Sequence, residues 1–261
     1  MPGQTTDVKR SVLQRLTRHS PKALARTCSH ALLPVECASC GKSLWGDMTP
    51  FLCDQCWGSI TCLSGPHCPR CYRPFHSRIS LRYSPHHRCA ACRMHPPAFS
   101  GAWTLYPYES SLKKAIGLLK YRGKVSLAKP MAHLLATGLP SLPTIDLVMA
   151  VPLHSARLRE REYNQSLLLA YNLSKIIQLP LDHTTLIRTR QSTPQTLLSR
   201  KERLKNLRRT FAVKTSRDIT GKSILLVDDV YTTGTTVNEC AKALRKAGSG
   251  DVYVVTLARM L

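Results

Sequence analysis

Residues 224–236 read Ile224-Leu225-Leu226-Val227-Asp228-Asp229-Val230-Tyr231-Thr232-Thr233-Gly234-Thr235-Thr236, and the order of residue types here decides how the carboxyl-terminal part of the chain is built. Four consecutive apolar residues predict a buried strand from Ile224 to Val227, with two carboxylates at its carboxyl end. The Thr/Gly run then opens a helix predicted from about Thr235 to Ala247. Unpaired first-turn N–H groups and the helix dipole make such a helix start an anion site. Thr232, Thr233, Thr235 and Thr236 add hydroxyl donors, and Gly234 permits a tight turn and close approach by a phosphate. Asp228 and Asp229 would repel that phosphate. They suit sugar hydroxyls, from which they accept hydrogen bonds, or a hard cation. A phosphate cradle beside two such carboxylates describes a ribose 5-phosphate site. Capping and turn chemistry alone accounts for one Asp before a helix, but not for two followed by Thr-Thr-Gly-Thr-Thr.

The pattern upstream places this segment in a sheet. Leu112, Ala115, Ile116 and Leu119 recur at helical spacing, with Lys113, Lys114 and Lys120 on the opposite face. A second helix is predicted to begin near Leu127 and to include Met131, Leu134 and Leu135. Ile145 to Val151 reads as a buried strand stopped by Pro152, and Tyr163 to Gln178 as a helix with Leu167, Leu168, Tyr171 and Ile176 inward. Leu186 to Arg190 reads as a short strand, Ser199 to Leu207 as a basic helix with a capping box, and Val252 to Leu257 as a further strand. Strands alternating with helices predict a parallel sheet flanked by helices, with ligands at the strand carboxyl ends. The segment after the strand at 145–151 carries Arg157, Arg159 and Arg161, whose guanidiniums can bind a pyrophosphate bidentately.

The 261 residues contain 38 Lys and Arg against 15 Asp and Glu, a formal charge of +23. That balance calls for an acidic partner such as nucleic acid, anionic lipid or a polyphosphate. A hydrophobic content of 43% supplies a packed core and excludes global disorder. Apolar runs fall far short of the roughly 20 residues a spanning helix needs, so no membrane insertion is expected. The basic stretch 1–32 lacks the apolar region of a secretory signal, and a cytoplasmic location is expected.

Eight cysteines form four Cys-x-x-Cys pairs: Cys37/Cys40, Cys53/Cys56, Cys68/Cys71 and Cys89/Cys92. Two such turns close a tetrahedral Cys₄ zinc site, so one or two structural zinc ions are expected. Nothing exports the chain from a reducing compartment, which disfavours disulfides. Iron–sulfur ligation by the same thiolates stays open. So does the pairing, sequential or cross-braced, and so does substitution of a thiolate by His67, His86, His87 or His95. Arg70, Arg73, Arg78, Arg82, Arg88 and Arg93, interleaved with Tyr72, Phe75 and Tyr83, suit a single-stranded nucleic acid, whose backbone they neutralise and whose bases they stack.

Taken together, these features carry a resemblance. The run 228–236 resembles the phosphoribosyl-pyrophosphate (PRPP) signature of type I phosphoribosyltransferases. The four Cys-x-x-Cys turns, Lys-Tyr-Arg-Gly at 120–123, the Val-Pro…Arg-x-Arg…Tyr-Asn-Gln segment, Arg-Thr-Arg…Thr-x-x-Gln and Leu-Ser-Arg-Lys-Glu-Arg-x-x-Asn resemble the ComF family in the family's order. The resemblance covers about residues 33–261. It implies an α/β fold with a type I phosphoribosyltransferase-like parallel sheet at 99–261 behind a double zinc ribbon at 33–98. It implies that Asp228 and Asp229 hold the ribose hydroxyls and carry any catalysis. Val230, Tyr231, Thr232, Thr233, Gly234, Thr235 and Thr236 would wrap the 5-phosphate, and Arg157, Arg159 and Mg²⁺ would meet the pyrophosphate. It also implies a role in natural competence, handling incoming single-stranded DNA beside a helicase, or transfer of a phosphoribosyl group to a nitrogen nucleophile. One departure stands out: Glu162 occupies a position where the family usually has glycine, and it adds negative charge near the expected pyrophosphate loop.

Overall fold

The computed structural model describes residues 36–44, 46–75, 77, 79–189, 210–214 and 218–261. The basic extension at 1–32, Arg78, and the stretch 190–209 with its predicted basic helix lie outside the described residues.

Five strands form one parallel sheet in the order β1-β7-β6-β2-β3. They are β1 (Gly101–Pro107), β2 (Leu147–Ala150), β3 (Leu181–Asp182), β6 (Ile224–Tyr231) and β7 (Val252–Arg259). A separate antiparallel pair joins β4 (Leu186–Arg188) to β5 (Phe211–Val213). The strand at the centre is the one read first from the sequence, but it does not stop at Val227. Its ladder continues through Asp228 opposite Thr256 and Tyr231 opposite Arg259, so both carboxylates stand inside the strand. Parallel strands are covered on both faces, which is why 224–227 and 252–258 are almost uninterruptedly apolar and buried.

Helices cover the two faces unequally. One face carries α4 (Ser110–Tyr121), α5 (Ala128–Gly138) and α7 (Gln165–Ile176), packed on Leu105, Val148, Leu225, Val227 and Val255. The other carries α8 (Thr235–Lys246), which buries Val237, Cys240, Ala241 and Leu244 against Met149, Leu226, Ile224 and Val254. From β2 the chain passes through α6 (Ser155–Arg161) and α7 outward to β3, whereas from β6 it passes through α8 the other way, to β7. The order therefore reverses between β2 and β6, the kind of switch point outside whose strand carboxyl ends ligands bind in open α/β sheets.

Helix α7 faces the sheet differently from the sequence expectation. Ser166, Leu169, Ala170, Leu173 and Ser174 are inward, whereas Tyr171 is 48% exposed and Ile176 37% exposed. Leu167 to Leu169 are three leucines in a row, and the competing apolar stripes differ by one residue. Close contact with β2 and β6 selects the stripe that carries small residues, Ser166 and Ala170.

The ribbon segment repeats one design twice. A hairpin closed by the bridge Glu36–Ser43 presents Cys37 and Cys40, and α1 (Asp54–Gly58) starts at Cys53. A hairpin closed by His67–Pro74 presents Cys68 and Cys71, and α3 (Ala90–Met94) starts at Cys89. Between these, α2 spans Ile79–Tyr83. The residue after the second knuckle cysteine takes a left-handed backbone in each copy, Gly41 at φ 76° and Tyr72 at φ 61°. The two copies dock on opposite faces of the sheet. Leu44, Leu52 and Cys53 join the core of α4, while Cys68, Cys71, Cys89 and Cys92 join the core of Phe99, Ala102 and α8. The connection between them crosses the edge strand, where Leu63 N–H donates to the Leu105 carbonyl at 2.8 Å. Wrapping this edge protects its unpaired backbone groups.

Because Leu52 is fully buried in the α4 core, Leu52→Ala should destabilise the whole chain by about 2–4 kcal/mol. A lower urea midpoint, followed by tryptophan fluorescence, is the expected outcome.

Candidate functional site

The two carboxylates at the end of β6 sit in different surroundings. Asp229 is 4% exposed, and its Oδ1 pairs with Lys120 Nζ at 2.8 Å. Its buried Oδ2 has no hydrogen-bond partner among the described residues. Asp228 is partly exposed, and its Oδ1 accepts from Ser166 Oγ at 2.8 Å and from the Asp229 N–H at 2.9 Å. Burial and the neighbouring Asp229 charge push the Asp228 carboxyl up to about 7, against the opposing pull of Ser166 and Lys120. Burial pulls Lys120 down, but Asp229 and Asp228 more than offset this and hold it above the usual lysine value. Lys120 was expected on the solvent face of its helix. It lies in the last turn of α4 instead, and its long stem reaches across the strand end to the carboxylate pair.

The loop that follows is shaped by glycine. Gly234 is left-handed at φ 78°, and a Cβ there would collide with the Tyr231 hydroxyl. The Gly234 carbonyl accepts the Asn238 N–H at 3.0 Å, the first bond of α8, whose first turn holds no acidic residue. Thr232 and Thr233 are exposed, Thr235 and Thr236 half-buried, and the Thr233 and Thr235 hydroxyls are 2.8 Å apart. Threonine hydroxyls and the first-turn N–H groups of α8 therefore follow directly on Asp228 and Asp229 along the chain. Tyr231 differs: its ring is 7% exposed and its hydroxyl packs beneath Gly234, whereas Thr232 and Thr233 are exposed.

The segment after β2 is more ordered than a polar loop. Helix α6 carries Arg157 and Arg159, both exposed at the carboxyl edge of the sheet. Arg161 is engaged within the protein, 4.9 Å from the Tyr121 ring and 3.3 Å from Gln165 Oε1. The Tyr163 hydroxyl donates to the Leu119 carbonyl, and Asn164 caps α7 through the Ser166 N–H at 3.0 Å while its Nδ2 donates to the Val151 carbonyl. These bonds lock 161–165 to the end of α4 and so place Ser166 beside Asp228. Glu162 ends α6 with φ 65°. Glycine adopts this left-handed backbone without cost, whereas a non-glycine residue there costs about 1 kcal/mol. Arg188, on β4, lies within electrostatic reach of both Arg157 and Asp228, and burial with Arg157 beside it lowers its pKa. The sequence reading placed Arg188 in the short strand 186–190 with no assigned contact, and β4 ends at that residue.

The cysteines assemble as two tetrads, Cys37/Cys40/Cys53/Cys56 and Cys68/Cys71/Cys89/Cys92, with the ligand atoms of each within 4.8 Å of one another. Pairing is therefore sequential, and thiolates alone make up each set. Sulfur separations of 3.7 Å for Cys40–Cys53 and Cys71–Cys89 far exceed a disulfide bond of about 2.05 Å. They match the edge, about 3.8 Å, of a tetrahedron with metal–sulfur bonds of about 2.3 Å. Backbone N–H groups of Cys53 and Cys89 point at Cys37 Sγ and Cys68 Sγ at 3.3 and 3.4 Å, as thiolate acceptors require. Both donor sets fit structural zinc, which would hold each hairpin to its helix. His67 is turned to the Gly65 carbonyl at 3.1 Å and stacks on Tyr72.

Comparison with known proteins agrees with this architecture. The double zinc ribbon domain family matches residues 28–93, and the phosphoribosyl transferase domain family matches residues 164–260. The chain is 30% identical to Competence protein F of Haemophilus influenzae over 80% of its own length and 97% of that protein. It is 33% identical to DNA utilization protein YhgH of Escherichia coli K12 over 74% of its length and 84% of that protein. Adenine phosphoribosyltransferase of Thermoanaerobacter pseudethanolicus is a structural neighbour at 14% identity and TM-score 0.36, covering 62% of this chain and 92% of that one. The chain belongs to the ComF family.

Glu162→Gly should raise stability by up to about 1 kcal/mol, seen as a higher urea midpoint, because the left-handed backbone is relieved. Metal analysis should return two zinc equivalents per chain, falling to one in Cys56→Ser.

Proposed function

We propose that the protein binds a phosphorylated ribose, presented as PRPP, and that it serves natural competence by handling single-stranded DNA. The observation that carries the first half is the buried, unpartnered Asp229 Oδ2 beside a glycine-opened helix start rich in threonine. A buried carboxylate oxygen without a donor is costly, and a ribose hydroxyl supplies the missing one. Asp228 and Asp229 would take the hydroxyls, the backbone from Val230 and the Thr232 to Thr236 loop the 5-phosphate, and Arg157 and Arg159 the pyrophosphate. Mg²⁺ would arrive on the pyrophosphate and neutralise part of its charge.

The second half rests on charge and on kinship. A net +23, with exposed Arg73, Arg82, Arg88 and Arg93 on the second ribbon, favours a polyanionic strand. The relatives named Competence protein F and DNA utilization protein YhgH support a competence role; a helicase partner and a cytoplasmic location belong to the same proposal. Among the described residues no helix is long and apolar enough to cross a membrane.

A second reading, transfer of the phosphoribosyl group to a nitrogen nucleophile, draws on the same site. Asp228 and Asp229 would then orient the ribose for an oxocarbenium-like state, with Arg157 and Arg159 on the leaving group. Turnover of PRPP with any nitrogen acceptor, abolished in Asp228→Asn with Asp229→Asn, would favour it over binding alone.

Calorimetry with PRPP and Mg²⁺ tests the site directly. Micromolar binding is expected, weakened at least about tenfold in the Asp228→Asn, Asp229→Asn double variant; unchanged binding would sink the assignment. Affinity for ribose 5-phosphate should also rise with pH through about 7, because ionised Asp228 accepts hydroxyl hydrogen bonds with both oxygens and more strongly than its protonated form. That step should shrink in Asp228→Asn, leaving only the titration of the ligand's own phosphate. In the free protein the sign is opposite. A carboxyl raised to about 7 binds a proton on folding between the usual carboxylate range and 7, so its contribution to stability falls as pH rises through that window. Single-stranded DNA should bind with log affinity falling linearly in log salt, and no binding at low salt would exclude the DNA role.

A further inference from the structure

A buried arginine with no carboxylate partner among the described residues stands where the second ribbon meets the end of the sheet. Arg259, the last residue of β7, is 4% exposed. Its Nη1 donates to the Cys71 carbonyl at 2.7 Å and lies 3.3 Å from Thr104 Oγ1. Its guanidinium lies over the Tyr231 ring, 4.6 Å from the centroid. A buried cation needs compensating negative charge, and a ring face supplies only part of it. Four thiolates around one Zn²⁺ leave a net charge of two negative on the cluster that contains Cys71. The residues present thus fit a metal at this cluster.

The other side of Tyr231 reaches the ligand loop. The hydroxyl lies under Gly234 so closely that no Cβ fits between them, and Gly234 both turns the chain and accepts the first hydrogen bond of α8. One contact path therefore runs from the Cys71 carbonyl through the Arg259 guanidinium and the Tyr231 ring to the residue that sets the start of α8. Tyr231 shares its apolar core with Cys68, Cys71, Cys89 and Cys92, whereas Cys37 and Cys53 belong to the core on the other face.

We propose that Arg259 is a positioning residue that couples the second cysteine tetrad to the phosphate loop, so that metal at Cys68/Cys71/Cys89/Cys92 sets the loop's geometry more strongly than metal at Cys37/Cys40/Cys53/Cys56. The consequence for affinity rests on the ribose-phosphate reading; the consequence for the loop itself does not. Without the guanidinium the Tyr231 ring loses its cationic face and its fixed height under Gly234. The N–H groups of the loop then lose the convergence that an anion requires.

Hydrogen exchange at residues 232–236 of the full-length chain, with metal content measured in parallel, decides the matter. Arg259→Met should keep two metal equivalents while loop exchange rises on the order of tenfold, and calorimetric affinity for ribose 5-phosphate should fall by a similar factor. Arg259→Lys should restore part of both effects, because an ammonium still faces the ring and the carbonyl. Cys92→Ser should reproduce the loop effect, adding little in combination with Arg259→Met, since both act through one path. Cys53→Ser should lower metal content with a smaller effect on the loop than Cys92→Ser. Wild-type exchange in Arg259→Met, or equal effects of Cys53→Ser and Cys92→Ser, would overturn the coupling. If Arg259→Met loses a metal equivalent, Tyr231→Leu takes its place, and unchanged loop exchange there overturns the proposal equally. If the wild type does not bind ribose 5-phosphate, the ligand reading falls, and the exchange data still judge the coupling.

Discussion

Two carboxylates on consecutive residues of a central strand cannot both be buried and charged without compensation. Everything around the end of β6 answers that constraint. Lys120 reaches from the end of α4 to neutralise Asp229, and Ser166 at the start of α7 donates to Asp228. Those two groups arrive together because Tyr163 bonds the end of α4 and Asn164 caps α7 and bonds the end of β2. Compensation is incomplete: one oxygen of Asp229 has no partner among the described residues, and burial beside Asp229 pushes the Asp228 carboxyl up to about 7.

The ribbons answer a different constraint. Their short helices and bridges bury too little apolar surface to fold alone, so metal and docking must supply the rest. The two copies use the sheet differently. The first adds Leu44 and Leu52 to the core of α4, and Ser39 meets Ser111 at 3.0 Å. The second is held by two arginines: Arg70 donates to the Ser100 and Pro97 carbonyls at 2.7 and 3.0 Å, and Arg259 to Cys71. The result is a sheet whose edge strand is wrapped by the ribbon segment.

Much of this was legible in order along the chain. The apolar run at 224–227, the Thr/Gly turn and the helical spacing at 112–119 and 127–135 each depend on neighbours close in sequence, and each corresponds to an observed element. What escaped notice depends on partners distant in sequence. Strand β1, Gly-Ala-Trp-Thr-Leu-Tyr-Pro, lacks a plain apolar run because the ribbons cover it rather than helices alone. The inward stripe of α7 was ambiguous among three adjacent leucines until the sheet selected its small residues. Lys120 carries the same local pattern as the solvated Lys113 and Lys114, and only the strand end above it makes it a buried partner.

The sequence by itself determined that two carboxylates follow a buried apolar run, that a glycine turn starts a helix after them, and that eight thiols are spaced for two tetrahedral sites. These are properties of spacing, and spacing is fixed by the covalent chain. Tertiary structure alone decided that the tetrads pair sequentially and sit on opposite faces, that Lys120 rather than water meets Asp229, and that Arg259 stands between Cys71 and Tyr231. It also showed Glu162 in a left-handed turn. Each of these joins residues, or sets a backbone angle, through packing, and packing exists only once the chain has closed on itself.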